Sequence, residues 1–220
     1  MTMPEKPEML TLTEAAVIAS VSVRDVNRVI DEKLLPKRFY RVRRIHIAAC
    51  PLVGFYFQAA NALTSEERGR LIREISMRIA PKIDKRAAAT WRKTSAPSEW
   101  TVKDGFLTVS LWDFATSADD REAMLAEARE AVVKDREVLK GTPVMRGTRV
   151  PVYDVAASVA KVIPRERIRA AYPSLDDRMI DLATLYAEAT PPRGRPRQTL
   201  KVPRGAKEIS RHKVARRKSA

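Results

Sequence analysis

Apolar positions in this chain change period several times, and each change marks an element. From Leu10 the text reads LTLTEAAVIAS. Ala15, Ala16, Ile18 and Ala19 supply small apolar positions of a short helix, with Thr13 as its expected cap and Glu14 in its first turn. Ser22 offers a second N-cap. Val23, Val26, Val29 and Ile30 then recur at three and four, the spacing of one buried helix face, and Pro36 marks the stop. Ile45 to Leu63 is densely apolar and reads as a buried helix entered or kinked at Pro51, its Phe55, Tyr56 and Phe57 serving the core or self-association. Thr64 opens a T-S-E-E start signal, and a helix through Leu71, Ile72, Ile75 and Ile79 is expected to stop at Pro81. Arg68, Arg70, Arg73 and Arg78 read as its solvated face.

Residues 81–97 are basic and weakly patterned and read as a linker or an irregular helix. Trp100 to Phe114 switches to period two around Asp104-Gly105, a strong short hairpin signal. Ser117 is the expected cap of a helix through about Ala131. Gly141 to Tyr153, GTPVMRGTRVPVY, excludes a helix interior, because each proline removes a donor and each glycine loosens the backbone. It predicts a tight strand and turn. Helices over Val152–Ala160, Arg165–Ala171 and from Leu175 follow, the last with Asp176 and Asp177 at its N-terminus. After Thr190 apolar periodicity ends.

Charge changes the picture most. The chain carries 42 Lys and Arg against 27 Asp and Glu, a net +15 over 220 residues. Pro191 to Ala220 holds 11 of the bases and one acid, Glu208, for a net of 11 − 1 = +10. Such a balance implies an anionic partner. The tail is expected to be disordered alone, and Arg193-Gly194-Arg195-Pro196-Arg197 has the form of a minor-groove hook. A second basic run, Lys37, Arg38, Arg41, Arg43 and Arg44, follows the first two helices. Arg41-Val42-Arg43 alternates like an edge strand that can serve as a wing touching phosphates.

The single cysteine, Cys50, rules out an internal disulfide and fits a reducing compartment. No stretch is long and apolar enough to span a bilayer, and the N-terminus lacks the form of a signal peptide, so a cytoplasmic protein without membrane contact is expected. His46 and His212 have no partners at metal spacing, and no phosphate loop is present. The expectation is a binding protein, not an enzyme, with no cofactor and no metal.

Two resemblances give the pattern a direction. Two short helices separated by a few residues are the sequence form of a helix-turn-helix. The Leu10-Thr11-Leu12-Thr13-Glu14-Ala15-Ala16 opening resembles that of the excisionase and MerR groups. The resemblance implies a recognition helix from Ser22 to Glu32, presenting Arg24, Asn27 and Arg28 to base edges; Asp25 fits least well. The expected DNA-binding set is Ser22, Arg24, Asn27, Arg28, Arg38, Arg41, Arg43 and Arg44.

Farther on, Val132, Val133, Asp135, Val138, Leu139, Gly141, Pro143, Val144, Gly147, Thr148, Arg149, Val150, Pro151 and Val152 form an entry motif. Tyr172, Pro173 and Leu175 form a link, and Tyr186-Ala187 an end. Together they resemble the bacterial antitoxin family catalogued as domain of unknown function 433, related to VapB-type antitoxins and usually encoded beside a toxin. The chain departs from that family at Ile163-Pro164, where a Gly usually stands.

The resemblance implies a type II antitoxin that inhibits a PIN-domain ribonuclease and represses its own operon as a homodimer on operator DNA. Its toxin-binding candidates are Arg193, Arg195, Arg197, Arg204, Arg211, Arg216 and Arg217. The other reading is a stand-alone DNA-binding regulator or recombination accessory factor. The expected architecture is mainly α: a helix-turn-helix region with helical extension (1–80), a linker (81–97), a β-hairpin and helix (98–131), a trihelical, winged-helix-like antitoxin domain (132–190) and a basic tail (191–220).

Overall fold

The computed structural model describes residues 9–83, 96–105 and 107–192. It is mainly helical with small antiparallel sheets. The N-terminal part runs β1 (Met9–Thr11), α1 (Leu12–Ala19), α2 (Val23–Asp31), β2 (Tyr40–Arg41), β3 (Arg44–His46), α3 (Cys50–Gln58) and α4 (Ser65–Ile83). The three strands pair antiparallel in the order β1-β3-β2.

The cap of α1 is Thr11, not Thr13. Thr11 is extended at the end of β1, and its hydroxyl accepts from the Glu14 amide while its own amide donates to the Glu14 carboxylate. This reciprocal pair satisfies two otherwise orphaned donors, which Thr13, already inside the helix, is not placed to do. Ser22 caps α2 as expected, again reciprocally, with Asp25. Pro51 stands at the start of α3, where its missing amide costs nothing. The Ile45–Leu63 run is thus a strand, two short 3-10 turns and a nine-residue helix, with Phe55 and Tyr56 buried in the core. Gly54 lets α3 close on α1: a Cβ there would lie 2.9 Å from the Ala19 carbonyl oxygen.

Helix α4 begins after Thr64, whose hydroxyl and amide both bond Glu67. It does not stop at Pro81 but carries it inside the last turn to Ile83, forgoing the bond that an amide there would make to the Met77 carbonyl. Nor are its arginines simply solvated. Arg68 is half-buried, donates to the Tyr56 carbonyl and lies over the Tyr56 ring, and Arg78 reaches Glu74 and the Thr101 carbonyl.

The hairpin forms as read, with β4 (Thr101–Asp104) against β5 (Leu107–Ser110) and Gly105 at φ +58 in the turn. Helix α5 then runs Trp112–Glu130, so Ser117 lies inside it and caps nothing. Leu111 and Trp112 leave the alternating pattern because Leu111, Ala115, Ala118 and Leu125 bury one helical face against the N-terminal core.

In the C-terminal part β6 (Val132–Val133) pairs with β7 (Val144–Met145), α6 (Val152–Ala160) and α7 (Arg165–Ala171) follow at the residues the pattern named, and α8 (Asp177–Ala189) starts two residues after the expected Leu175. Asp176 is the N-cap of α8. A second core forms here from Met145, Val152, Val155, Ile168, Ile180 and Ala183. The two cores meet along α5 and α8. There Arg129 pairs with Glu14 at 2.6 Å and Arg178 pairs with Glu127. Among the described residues no helix is long and apolar enough to cross a membrane.

Candidate nucleic-acid interface

The expected DNA-binding residues separate into two surfaces with different electrostatics. The first is the outer side of α2. Ser22 is committed to its cap: its hydroxyl accepts from the Asp25 amide and donates to the Asp25 carboxylate at 2.7 Å. Asp25, the residue that fitted least well, is there to start the helix. Asn27 donates its side-chain amide back to the Val23 carbonyl at 2.9 Å. Arg28 is paired one turn ahead with Glu32 at 2.6 Å, and that carboxylate holds its guanidinium pKa above the ordinary value. Asp31 adds a further acid. The residues from Ser22 to Glu32 carry Arg24 and Arg28 against Asp25, Asp31 and Glu32, so the surface has no cationic excess.

The second surface is the segment that follows. Lys33, Lys37, Arg38, Arg41, Arg43 and Arg44 occur in it without one carboxylate. Phe39 and Ile45 anchor the base of the β2–β3 hairpin in the core, both fully buried, while the basic side chains are exposed. Arg41 lies directly opposite Arg44 across the ladder, with Val42 and Arg43 as the two turn residues. Arg43 takes φ +56, and Val42 is 91% exposed at the tip. Like charges facing each other across a ladder destabilise it. Arg44 also donates to the Met9 carbonyl at 3.1 Å. The two-residue turn thus carries a cationic pair at its base and a third arginine at its tip.

The Gly141–Tyr153 stretch holds the second core together. Gly147 turns the chain at φ +73, the Thr148 hydroxyl bonds back to the Met145 carbonyl, and Val144 bridges to Pro151. Arg146 donates to the Glu130 carbonyl at 2.8 Å, tying the turn to the end of α5. Tyr153 donates to the Thr190 carbonyl at 2.8 Å, and burial together with the neighbouring Tyr186 raises its pKa against the opposing Lys134. The motif residues therefore pack and fold, and Tyr153 holds the end of α8. Val162, near the departure at Ile163-Pro164, adopts φ +57 although β-branched.

The toxin-binding candidates Arg193, Arg195, Arg197, Arg204, Arg211, Arg216 and Arg217 lie outside the described residues. Among the described residues no group of three metal-ligating side chains comes together. Sequence reasoning missed the links between the two cores, Glu14 to Arg129 and Glu127 to Arg178. Its usable signal was the i, i+3 pairing of Thr11 with Glu14, which predicts a fixed carboxylate but not its distant partner.

Residues 132–187 match the family described as a protein of unknown function, DUF433. The match starts at β6 and ends within α8, so it coincides with the second core. Along nearly all its length the chain is similar to the uncharacterized protein y4eO of Sinorhizobium fredii (strain NBRC 101917 / NGR234). The two are 48% identical over 219 residues, covering 98% of this chain and 97% of the other. No solved structure matches the chain.

Proposed function

We propose, from the premise that this chain belongs to the DUF433 family through residues 132–187 and to the family of the Sinorhizobium fredii y4eO protein over its length, that it is a DNA-binding type II antitoxin. In this reading α1 and α2 act as a helix-turn-helix, and the β2–β3 hairpin acts as its wing. The observation that carries the DNA half is the Lys33–Arg44 segment, whose cations have no acid among them and include Arg41 and Arg44 opposed across one ladder. Such a surface gains free energy by displacing counterions from a phosphate backbone. Helix α2 then contributes Arg24 and Asn27 toward base edges, and the hairpin contributes most of the affinity.

The toxin half rests on the VapB-type resemblance of the second core and on the charge of the tail. A PIN-domain ribonuclease holds its metal in a pocket of carboxylates. A basic segment entering that pocket places a guanidinium where the metal would sit and pairs with the acids. The tail after Pro192 has the composition for this, with Arg193, Arg195 and Arg197 the first arginines after α8 in the sequence. The same chain, dimeric on its operator, would repress its own operon in the cytoplasm.

The test is co-expression with the product of the adjacent gene, followed by ribonuclease assay of the complex and of the freed partner. A complex that is silent until this chain is removed supports the antitoxin reading, and truncation after Thr190 should then release activity. Absence of any complex, with tight binding to its own promoter, would leave a stand-alone regulator.

A further inference from the structure

The β4–β5 ribbon has two outer edges, and they are finished differently. Val102 faces Val109, Asp104 faces Leu107, and the Leu111 amide donates to the Trp100 carbonyl. Antiparallel pairs alternate between those that exchange main-chain bonds and those that do not. The bond from Leu111 to Trp100 therefore sets 102/109 and 104/107 as bonded pairs. It turns the main-chain groups of Thr101 and Lys103 outward on β4, and those of Thr108 and Ser110 outward on β5. The β4 edge carries Lys103, and Arg78 of α4 donates to its Thr101 carbonyl at 2.6 Å. On β5, the outward amides and carbonyls of Thr108 and Ser110 meet no partner among the described residues.

Edges left open in monomeric proteins are usually guarded by a lysine, a proline, a bulge or extreme shortness. Strand β5 is short, four residues reading Leu-Thr-Val-Ser, but carries no charge, proline or bulge. Leu107, on the same side of the strand as Val109, is 46% exposed.

We propose that β5 is the dimerisation edge of this protein: two copies pair β5 to β5, antiparallel, about a two-fold axis through Val109, giving a four-stranded sheet in the order β4-β5-β5-β4. The strand is self-complementary in this register. Thr108 exchanges both main-chain bonds with Ser110 of the partner subunit, and Ser110 does the same with Thr108 of the partner subunit. Between these bonded pairs Val109 meets Val109 of the partner subunit at a non-bonded position, where side chains come closest. The contact is isologous, as a closed two-fold dimer requires. An edge of this length buries less surface than a standard interface, so the dimer is concentration-dependent. The inference stands independently of what the chain binds.

The test joins sedimentation equilibrium of the full chain with two cysteine variants. In this register the Cα atoms of the residue 109 pair lie about 4.5 Å apart, within disulfide range. Val109→Cys should cross-link to itself under mild oxidation. Thr108→Cys should not, because residue 108 faces residue 110 across the axis. The native Cys50 is buried and does not compete. Thr108→Pro removes an outward amide without touching the ladder to β4. It should weaken dimerisation at least tenfold while the helical circular dichroism is unchanged; if it fails to fold, the cysteine contrast decides alone. A chain monomeric at every concentration would overturn the proposal. So would a dimer indifferent to Thr108→Pro, or one in which Thr108→Cys cross-links as readily as Val109→Cys.

Discussion

Helix α2 and the β2–β3 hairpin are neighbours in the chain, and both present arginines to solvent, but those arginines differ in what they already bond. On α2 the polar groups close on one another: Ser22 with Asp25, Asn27 with the Val23 carbonyl, Arg28 with Glu32. On the hairpin Arg41 and Arg44 face each other, Arg43 sits beside them at a left-handed turn position, and no acid lies in the segment. The first arrangement lowers the cost of its own helix. The second adds a cost to its own strand, and residues that break a local rule are where function is to be sought. A count of basic residues does not separate the two; their partners do.

The largest expected effect breaks the comparison if it fails. Replacing Arg41 and Arg43 together by alanine should lower affinity for promoter DNA on the order of tenfold to a hundredfold and reduce the salt slope by about 2. Gel-shift titrations at several salt concentrations read both. An equal loss from Arg24→Ala with Arg28→Ala would erase the distinction between helix and hairpin.

Next comes Glu14, an acid paired for structural reasons. Burial pushes its carboxyl up, but the Thr11 amide and the Arg129 guanidinium outweigh burial and hold it below the ordinary value of 4.5. A carboxyl lowered in the folded state contributes stability that is complete above its unfolded value and is lost as pH falls through its folded value. Glu14→Gln should therefore cost about 1–2 kcal/mol at neutral pH, allowing for solvent screening. In urea titrations the difference from the unaltered chain should shrink as pH falls below the ordinary value of 4.5. A constant difference at all pH values would make packing, not charge, the cause.

Ser22→Ala sharpens the reading of α2 as a capped helix. It should lower stability by about 1 kcal/mol and leave the salt slope of DNA binding unchanged, since that hydroxyl is used within the helix. The smallest effect is expected from Glu32→Gln. Freeing Arg28 from its exposed ion pair should raise DNA affinity no more than a few-fold, because such pairs are weak in water.

Much of the fold was legible. The helices Val152–Ala160 and Arg165–Ala171 begin and end where apolar spacing and prolines set them, the last C-terminal helix starts two residues beyond Leu175 at its Asp176 cap, and Asp104-Gly105 makes its hairpin. The misreadings share a cause. Thr11 and Thr13 are both reasonable caps; β1, ending at Thr11, decides between them by holding Thr11 extended. Trp112 looked like a strand residue and Ser117 like a cap because alternation and helical spacing overlap from Leu111 to Ala118. The packing of α5 on the first core resolved them as helix. The site was legible as a set of basic residues, but the pairing that distinguishes Arg28 from Arg41 was not.

What the sequence determined by itself are properties carried by near neighbours: helix periods, turns that need glycine or proline, reciprocal caps three residues apart, and the two cationic blocks. What only the tertiary structure decided are contacts between residues far apart in the chain. Glu14 meets Arg129, Arg78 reaches the Thr101 carbonyl on one edge of a ribbon, and Arg68 folds over Tyr56 instead of standing in solvent. Local pattern limits which groups are available to bond. Which group meets which depends on how two cores pack along α5 and α8, and no short window of sequence contains that.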